Sequence, residues 1–310
     1  MNNNLCTLVD KNIANDAYNA IDTVTSVQYK SIMDDLKFNR DKIISKVLNN
    51  PSNPSNPSNP SNLSNPSNLS NPSNPSQERI DYEVKLLEDN LPTTFSGSIL
   101  VRQNSKSPRI FSALIMGVED TPYDNACILF EIYLPDKYPD VPLHIKHISS
   151  TPSYNKFNPD INILGDIKLP MLETYGHTIN SNKEKWNPNK SSIYQALFSI
   201  QNLMFTHEPY FNDPVKKNMR NSEWCKKESK KYNQRLHMIV VAECIYGMLK
   251  NPPHEFKNAI ECHFLIKREY LKNILCKWKS EVNTEICDKY LVNDFTLYQN
   301  KTLDEWINIT

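Results

Sequence analysis

Apolar side chains recur along this chain in two rhythms, helical and alternating, with a stretch between them that follows neither. Between Asp16 and Leu48 they fall at helical spacings, with Ile32, Leu36 and the pair Ile43–Ile44 recurring, which predicts one or two amphipathic helices. Such helices suit either a docking element or a small helical cap. From Pro51 to Ser76 the chain then cycles through PSN and LSN triplets. Proline removes backbone donors and only two leucines occur there, so the segment is expected to be a disordered tether with polyproline II character. As a flexible coil it would have an end-to-end distance of roughly 28 Å.

Past the tether the pattern becomes dense. QERIDYEVKLLEDNLP places Ile80, Val84 and Leu87 on one helical face and stops at Asn90 and Pro92. GSILVRQ, RIFSALIMG and ACILFEIYL follow, rich in β-branched and aromatic residues and separated by turn signals, with VPLHIKHI as a fourth strand. Four sequential strands with short connections predict an antiparallel meander. An irregular, proline-punctuated region runs from Thr151 to about Asn189, and so long a loop inside a domain points to function. Ser191 is the expected N-cap of a helix whose buried stripe is Ile193, Leu197, Ile200 and Met204. Further helices are expected from Glu223 to Lys250 and from Pro253 to Trp278. The fold class is α+β. The divisions are a helical segment (1–50), the tether (51–76), a folded domain with a helical extension (77–280) and a C-terminal tail (281–310).

Composition narrows the chemistry. Lys plus Arg and Asp plus Glu both count 35 in 310 residues, so net charge gives no reason to expect a nucleic acid or an anionic membrane as partner. The run CKKESKKYNQR therefore reads as a solvated helix face. No apolar run approaches the roughly 20 residues of a membrane span, and the first residues lack the pattern of a secretory signal. The seven cysteines (Cys6, Cys127, Cys225, Cys244, Cys262, Cys276 and Cys287) are scattered and odd in number, which fits a reducing cytoplasm or nucleus. No CxxC or HxxxH pair occurs, and Cys262 and His263 would point to different helix faces, so no metal site and no cofactor are expected.

Four segments, FEIYLPDKYPDVPLHIKH, KFNPDINILGDIKLPML, EKWNPNKSSIYQALFSIQNLM and EPYFNDP, resemble in order the core of ubiquitin-conjugating enzymes. The likeness is nearest to the large members that combine conjugating and ligase activity, including the giant inhibitor-of-apoptosis type, which share the TPY run and a helical extension. It covers roughly Gln77 to Leu275. The resemblance implies the ubiquitin-conjugating fold: an N-terminal helix, a four-stranded meander, a long active-site loop and C-terminal helices. It implies a cysteine that carries ubiquitin as a thioester and an asparagine that donates to the oxyanion and orders the loop. On these residues Asn158 takes the asparagine's place, and Lys168 takes the cysteine's. An ordinary lysine amine is protonated at neutral pH, and its acylation would give an amide that does not pass ubiquitin on. Relatives bind the activating enzyme and ligases through the first helix and two loops, which here implies Glu78 to Leu87, then Tyr138, Pro139 and Pro142, then Trp186, Asn187 and Pro188. For Tyr138, Pro139 and Pro142, and equally for Trp186 and Pro188, the roles of turn former and core residue compete with that of partner contact. His177 and His207 read as loop histidines with no nucleophile to serve.

The reading that follows is a conjugating-enzyme-like protein without thioester activity. It would bind ubiquitin, an activating enzyme, a ligase or an active conjugating enzyme. Two other readings use the same residues: an active transferase, through another cysteine or because Lys168 was introduced in place of cysteine, and a structural scaffold with no role toward ubiquitin.

Overall fold

The computed structural model describes residues 26–38, 77–149, 157–172 and 185–281. The tether (51–76), most of the segment before it, His177 and the tail beyond 281 lie outside the described residues. A helix over residues 26–36 (α1) comes first, and α2 (Gln77–Asn90) opens the folded domain. Strands β1 (Thr93–Thr94), β2 (Gly97–Gln103), β3 (Ile110–Met116), β4 (Cys127–Tyr133) and β5 (His144–Ile148) then pair in chain order, each antiparallel to the next. The meander has one strand more than its sequence pattern predicts. β1 folds back on Gly97 and Ser98 and is too short to leave an alternation.

Burial explains the strand composition. β2 and β3 are covered over most of their length, so they read as near-continuous apolar runs. β5 alternates, turning Ile145 and His147 inward and His144, Lys146 and Ile148 outward. His147 thus occupies a core position, stacked on Phe157 with ring centroids 4.8 Å apart.

After the site loop, α3 (Ile193–Ser199) runs into a π-helical turn over Ile200–Met204. Its N-cap is Ser192, whose side chain accepts from Gln195 N, rather than the expected Ser191. The Ser191 hydroxyl is already engaged by the backbone N–H of Asn187. A short helix α4 (Pro214–Lys217) precedes α5 (Glu223–Ile239), which continues through a π-helical segment, Val240–Gly247, into α6 (Met248–Lys250). The helix expected from Pro253 to Trp278 is two helices, α7 (Lys257–Ile266) and α8 (Arg268–Glu281). They break at Lys267, whose buried ammonium donates to Phe95 O and sits over the Phe95 ring, 3.9 Å from its centroid. Helix α1 joins the same core. Tyr29, Met33, Leu36 and Phe38 are buried in it, and Phe38 makes a parallel bridge to Val101 of β2.

Candidate functional site

The segment from Phe157 to Leu172 lies against β5 and is held in shape by its own backbone. Gly165 O accepts from His147 N (2.8 Å), and bridges join Lys146 to Asp166 and Ile161 to Ile167. The turn between those bridges is folded by Asn162, whose side-chain oxygen accepts from Leu164 N (2.8 Å) and Asp166 N (2.9 Å). Gly165 sits at φ +87°, and a Cβ there would lie 2.4 Å from His147 O, so glycine is required at this point. The chain then delivers Lys168 partly exposed between the buried Ile167 and Leu169, with its backbone N–H donating to Asp160 O at 2.7 Å.

Asn158 lies beneath this loop, almost fully buried. Its amide nitrogen donates to Tyr123 Oη (2.7 Å) and to Met204 O (2.8 Å), and its oxygen accepts from Asp160 N (2.9 Å). Tyr123 passes the connection on by donating to Phe157 O (2.8 Å). Both amide donors are thus spent inside the protein, and an oxyanion at position 168 would receive one only if a core hydrogen bond broke. The oxyanion role implied by the resemblance does not match this geometry, whereas the loop-ordering role does. The residue that touches the Lys168 backbone is Asp160, two positions on, which the sequence reading did not single out. Asn212 of the EPYFN segment also donates to Met204 O (3.1 Å), which draws a second distant motif into the same knot.

Lys168 lines a cleft of about 670 Å³ between this loop and α5. The loop side is Asn158, Asn162, Ile163, Leu164 and Gly165, with Ile163 and Leu164 strongly exposed. The opposite wall is Tyr232, Arg235, Ile239 and Glu243, at spacings that put them on one helix face. Glu243 accepts from the Ser149 hydroxyl at 2.6 Å, closing one end. Lys146, Lys168, Lys216 and Arg235 against Asp213, Glu228 and Glu243 give the cleft mixed charge. The α5 wall was invisible in the sequence because its run of lysines and polar residues reads as a solvated helix.

The cysteines bear on any thiol chemistry. Cys127, Cys225, Cys244 and Cys262 are buried. Burial raises the thiol pKa of Cys127 and Cys244 far above the ordinary range and that of Cys262 to about 11. Cys276 is exposed on α8, but it is not among the residues lining the cleft. Cys6 and Cys287 lie outside the described residues. Among the described residues no cluster of His, Cys, Asp or Glu is arranged to hold a metal.

The three segments expected to meet partners form one buried knot. Glu83 of α2 is fully buried, and Oε1 accepts from Arg79 Nη2 (2.7 Å) and from the Tyr138 hydroxyl. Its Oε2 accepts from Ile193 N at 2.9 Å. Burial pushes the Glu83 carboxyl pKa up, against the opposing pull of Arg79. Arg79 also donates to Pro188 O (2.9 Å) and Ser191 O (2.7 Å), tying α2 to the loop before α3. Trp186 is buried, donates to Pro139 O (2.6 Å) and packs against the Tyr138 ring. The side chains of Tyr138 and Trp186 therefore brace the two loops from within, and as partner contacts they are corrected to core residues. Asn187 is exposed, and Pro139, Pro142 and Pro188 are partly exposed, so these retain access to a partner.

One helix, an antiparallel meander, the loop that carries the candidate site and the helices that follow define an α+β protein. The family model for ubiquitin-conjugating enzymes matches residues 79–240. The human dual E2 ubiquitin-conjugating enzyme/E3 ubiquitin-protein ligase BIRC6 is 32% identical over 212 residues, 68% of this chain and 4% of that protein. A probable ubiquitin-conjugating enzyme of Acanthamoeba polyphaga mimivirus, E2 R521, is 32% identical over 192 residues, 62% of this chain and 13% of its own. Probable ubiquitin-conjugating enzyme protein 17 of Caenorhabditis elegans is 33% identical over 211 residues, 68% of this chain and 28% of that one. The chain thus spans between 4% and 28% of the length of these three relatives. It belongs to the ubiquitin-conjugating enzyme family.

Proposed function

We propose that this chain works in the ubiquitin pathway as a binding member of the family that does not itself carry ubiquitin as a thioester. The observation that carries the reading is Lys168, which stands where the family's pattern calls for a cysteine, on a loop otherwise folded around Gly165 and Asn162. A relay needs a thiolate that attacks an acyl group and then leaves again. An amine fails the second half, because the amide it forms is not a good acyl donor at neutral pH. The four buried cysteines offer no substitute, since a thiol enclosed in the core is not accessible to an incoming acyl group. What remains usable is surface. The cleft beside Lys168 and the exposed parts of the two braced loops, Asn187, Pro188 and Pro142, are offered to ubiquitin or to an enzyme of the pathway.

The test is a charging assay with activating enzyme, ATP and ubiquitin, resolved with and without reductant, alongside a binding titration with ubiquitin and with a charged conjugating enzyme. No reducible adduct together with saturable binding is the expected result. A reducible adduct would assign a working cysteine and overturn the reading. Absence of both adduct and binding would leave a scaffold without a role toward ubiquitin.

A further inference from the structure

The charges that line the cleft beside Lys168 are balanced in number but not in use. Each acid is already engaged. Asp213 accepts from Val215 N at 2.9 Å and pairs with Lys216 at 3.6 Å, Glu228 pairs with Lys231 at 2.7 Å, and Glu243 accepts from Ser149 at 2.6 Å. The side chains of Lys146, Lys168 and Arg235 have neither an ion pair nor a hydrogen bond among the described residues. The cleft therefore presents an unanswered positive charge, and the ligand that complements it is anionic. Beside these cations the turn folded by Asn162 and Gly165 holds Ile163 and Leu164 out at 82% and 65% exposure. A fitting ligand thus carries apolar side chains next to its carboxylates.

The chain itself supplies such a segment from a point against the cleft wall. Helix α8 ends at Glu281, whose backbone oxygen accepts from the Gln234 side chain of α5 at 2.6 Å. Gln234 adjoins Arg235, which lines the cleft from the same helix. Residues 282–310 follow, reading VNTEICDKYLVNDFTLYQNKTLDEWINIT. At about 3.3 Å per extended residue, eight of them cover roughly 26 Å, about twice the breadth of a helix, so the segment rounds α5 with most of its length to spare. It carries five carboxylates, Glu285, Asp288, Asp294, Asp304 and Glu305, against Lys289 and Lys301 alone. In the run LDEWINI the adjacent acids Asp304 and Glu305 lie between Leu303 and the pair Trp306–Ile307, the combination of charge and apolar surface that the cleft lacks.

We propose that the cleft beside Lys168 is the docking site of the chain's own segment 303–309, with Asp304 and Glu305 set against Lys146, Lys168 and Arg235, and Trp306 and Ile307 set against Ile163 and Leu164. Ion pairs at so open a rim are individually weak and fall with salt. Covalent linkage offsets that weakness, because it holds the segment at an effective concentration on the order of millimolar. Docking itself needs no ubiquitin. Its consequence rests on the reading under Proposed function: an enzyme or ubiquitin reaches the cleft only by displacing the segment.

The test is acylation of the full chain by a small amine-reactive ester, read lysine by lysine by mass spectrometry. Lys146 and Lys168 should react roughly fivefold faster in the Asp304→Lys/Glu305→Lys chain than in the unsubstituted one. Lys106, exposed in the turn between β2 and β3, should react equally in both. Salt at 1 M, which cuts the screening length to about 3 Å, should speed Lys146 and Lys168 of the unsubstituted chain in the same way, without any substitution that could disturb folding. Trp306→Ala should give a smaller acceleration at the same two lysines. Equal rates at Lys146 and Lys168 in every chain and at both salt concentrations would overturn the proposal. So would acceleration confined to Lys185, Lys190 and Lys217, which line the cavity beside α3 and would place the segment there instead. Protection that grows with protein concentration would assign the cleft to the segment of a second copy and overturn docking within one chain. No arm of the experiment contains ubiquitin, so its outcome is distinct from that of the charging assay.

Discussion

Asn158 shows how a residue that the family pattern marks for chemistry is committed here to architecture. Its amide closes contacts to Tyr123, Met204 and Asp160 from a site where water cannot compensate. Asn158→Ala should therefore destabilise the protein by about 2–4 kcal/mol in urea unfolding, through several buried groups left without partners. Asn158→Asp should be similarly costly, since a carboxylate cannot donate to Met204 O. Gly165→Ala should cost about 1–3 kcal/mol, because alanine is strained at positive φ and its Cβ would press on His147 O. Lys168→Ala should leave the urea midpoint nearly unchanged, since the side chain reaches partly into solvent. Sequence made the first three residues conspicuous through the FNP and LGD runs. It could not tell which way the asparagine amide faces, because that direction is set by Tyr123 and Met204, 35 and 46 positions away.

At the scale of elements, α2 and the two loops it touches are joined by Arg79 and Glu83. Both side chains are buried, and their ion pair is backed by hydrogen bonds from the Tyr138 hydroxyl and Ile193 N and to Ser191 O. Removing one partner of such a pair leaves an uncompensated charge in the interior, so Arg79→Met should cost about 3–5 kcal/mol. Arg79→Met with Glu83→Leu should recover a good part of that loss, which a double-mutant cycle in urea would measure. The sequence presented these residues as ordinary charges on an amphipathic helix, and left Tyr138 and Trp186 open between core and partner contact. Helical periodicity places Arg79 and Glu83 on the same face as Ile80 and Leu87, but only the packed loops reveal that this face is covered across its whole width.

For the whole molecule, acid stability follows from buried titratable groups. Burial lowers the pKa of His147 to about 4 and those of His237 and His263 to about 3, against about 6.5 in an unfolded chain. Each folded value lies below the unfolded one, so on acidification the unfolded chain takes up three protons that the fold refuses, and stability drops below about pH 6.5. Asp124 works the other way, because burial raises its carboxyl pKa to about 7 and the fold takes up that proton first. Glu83, raised by burial as well, acts in the same sense as Asp124, so around pH 5 the three histidines outweigh two carboxyls and the unfolded state still holds the more protons. Stability should therefore fall as the pH drops from roughly 6 to 4.5. Urea midpoints across that range would measure the slope, and His147→Leu should reduce it by about 1.4 kcal/mol per pH unit.

The order of helix, strands, loop and helices was legible in the sequence because each is encoded by local periodicity, by turn residues and by composition. So were the segments that carry the candidate site, because FNP, the lysine-bearing loop and EPYFN are contiguous runs whose spacing does not depend on the rest of the chain. The two-residue strand, the break at Lys267 and the cap at Ser192 were not. Each depends on a partner distant in the chain or on competition between neighbouring hydroxyls for the same donors. The fate of Tyr138, Trp186, Asn158 and α1 was likewise decided only in three dimensions. Exposure and hydrogen-bond direction are properties of what is packed opposite a residue. That partner is chosen by the tertiary fold, whereas sequence periodicity reports only which face of an element seeks cover.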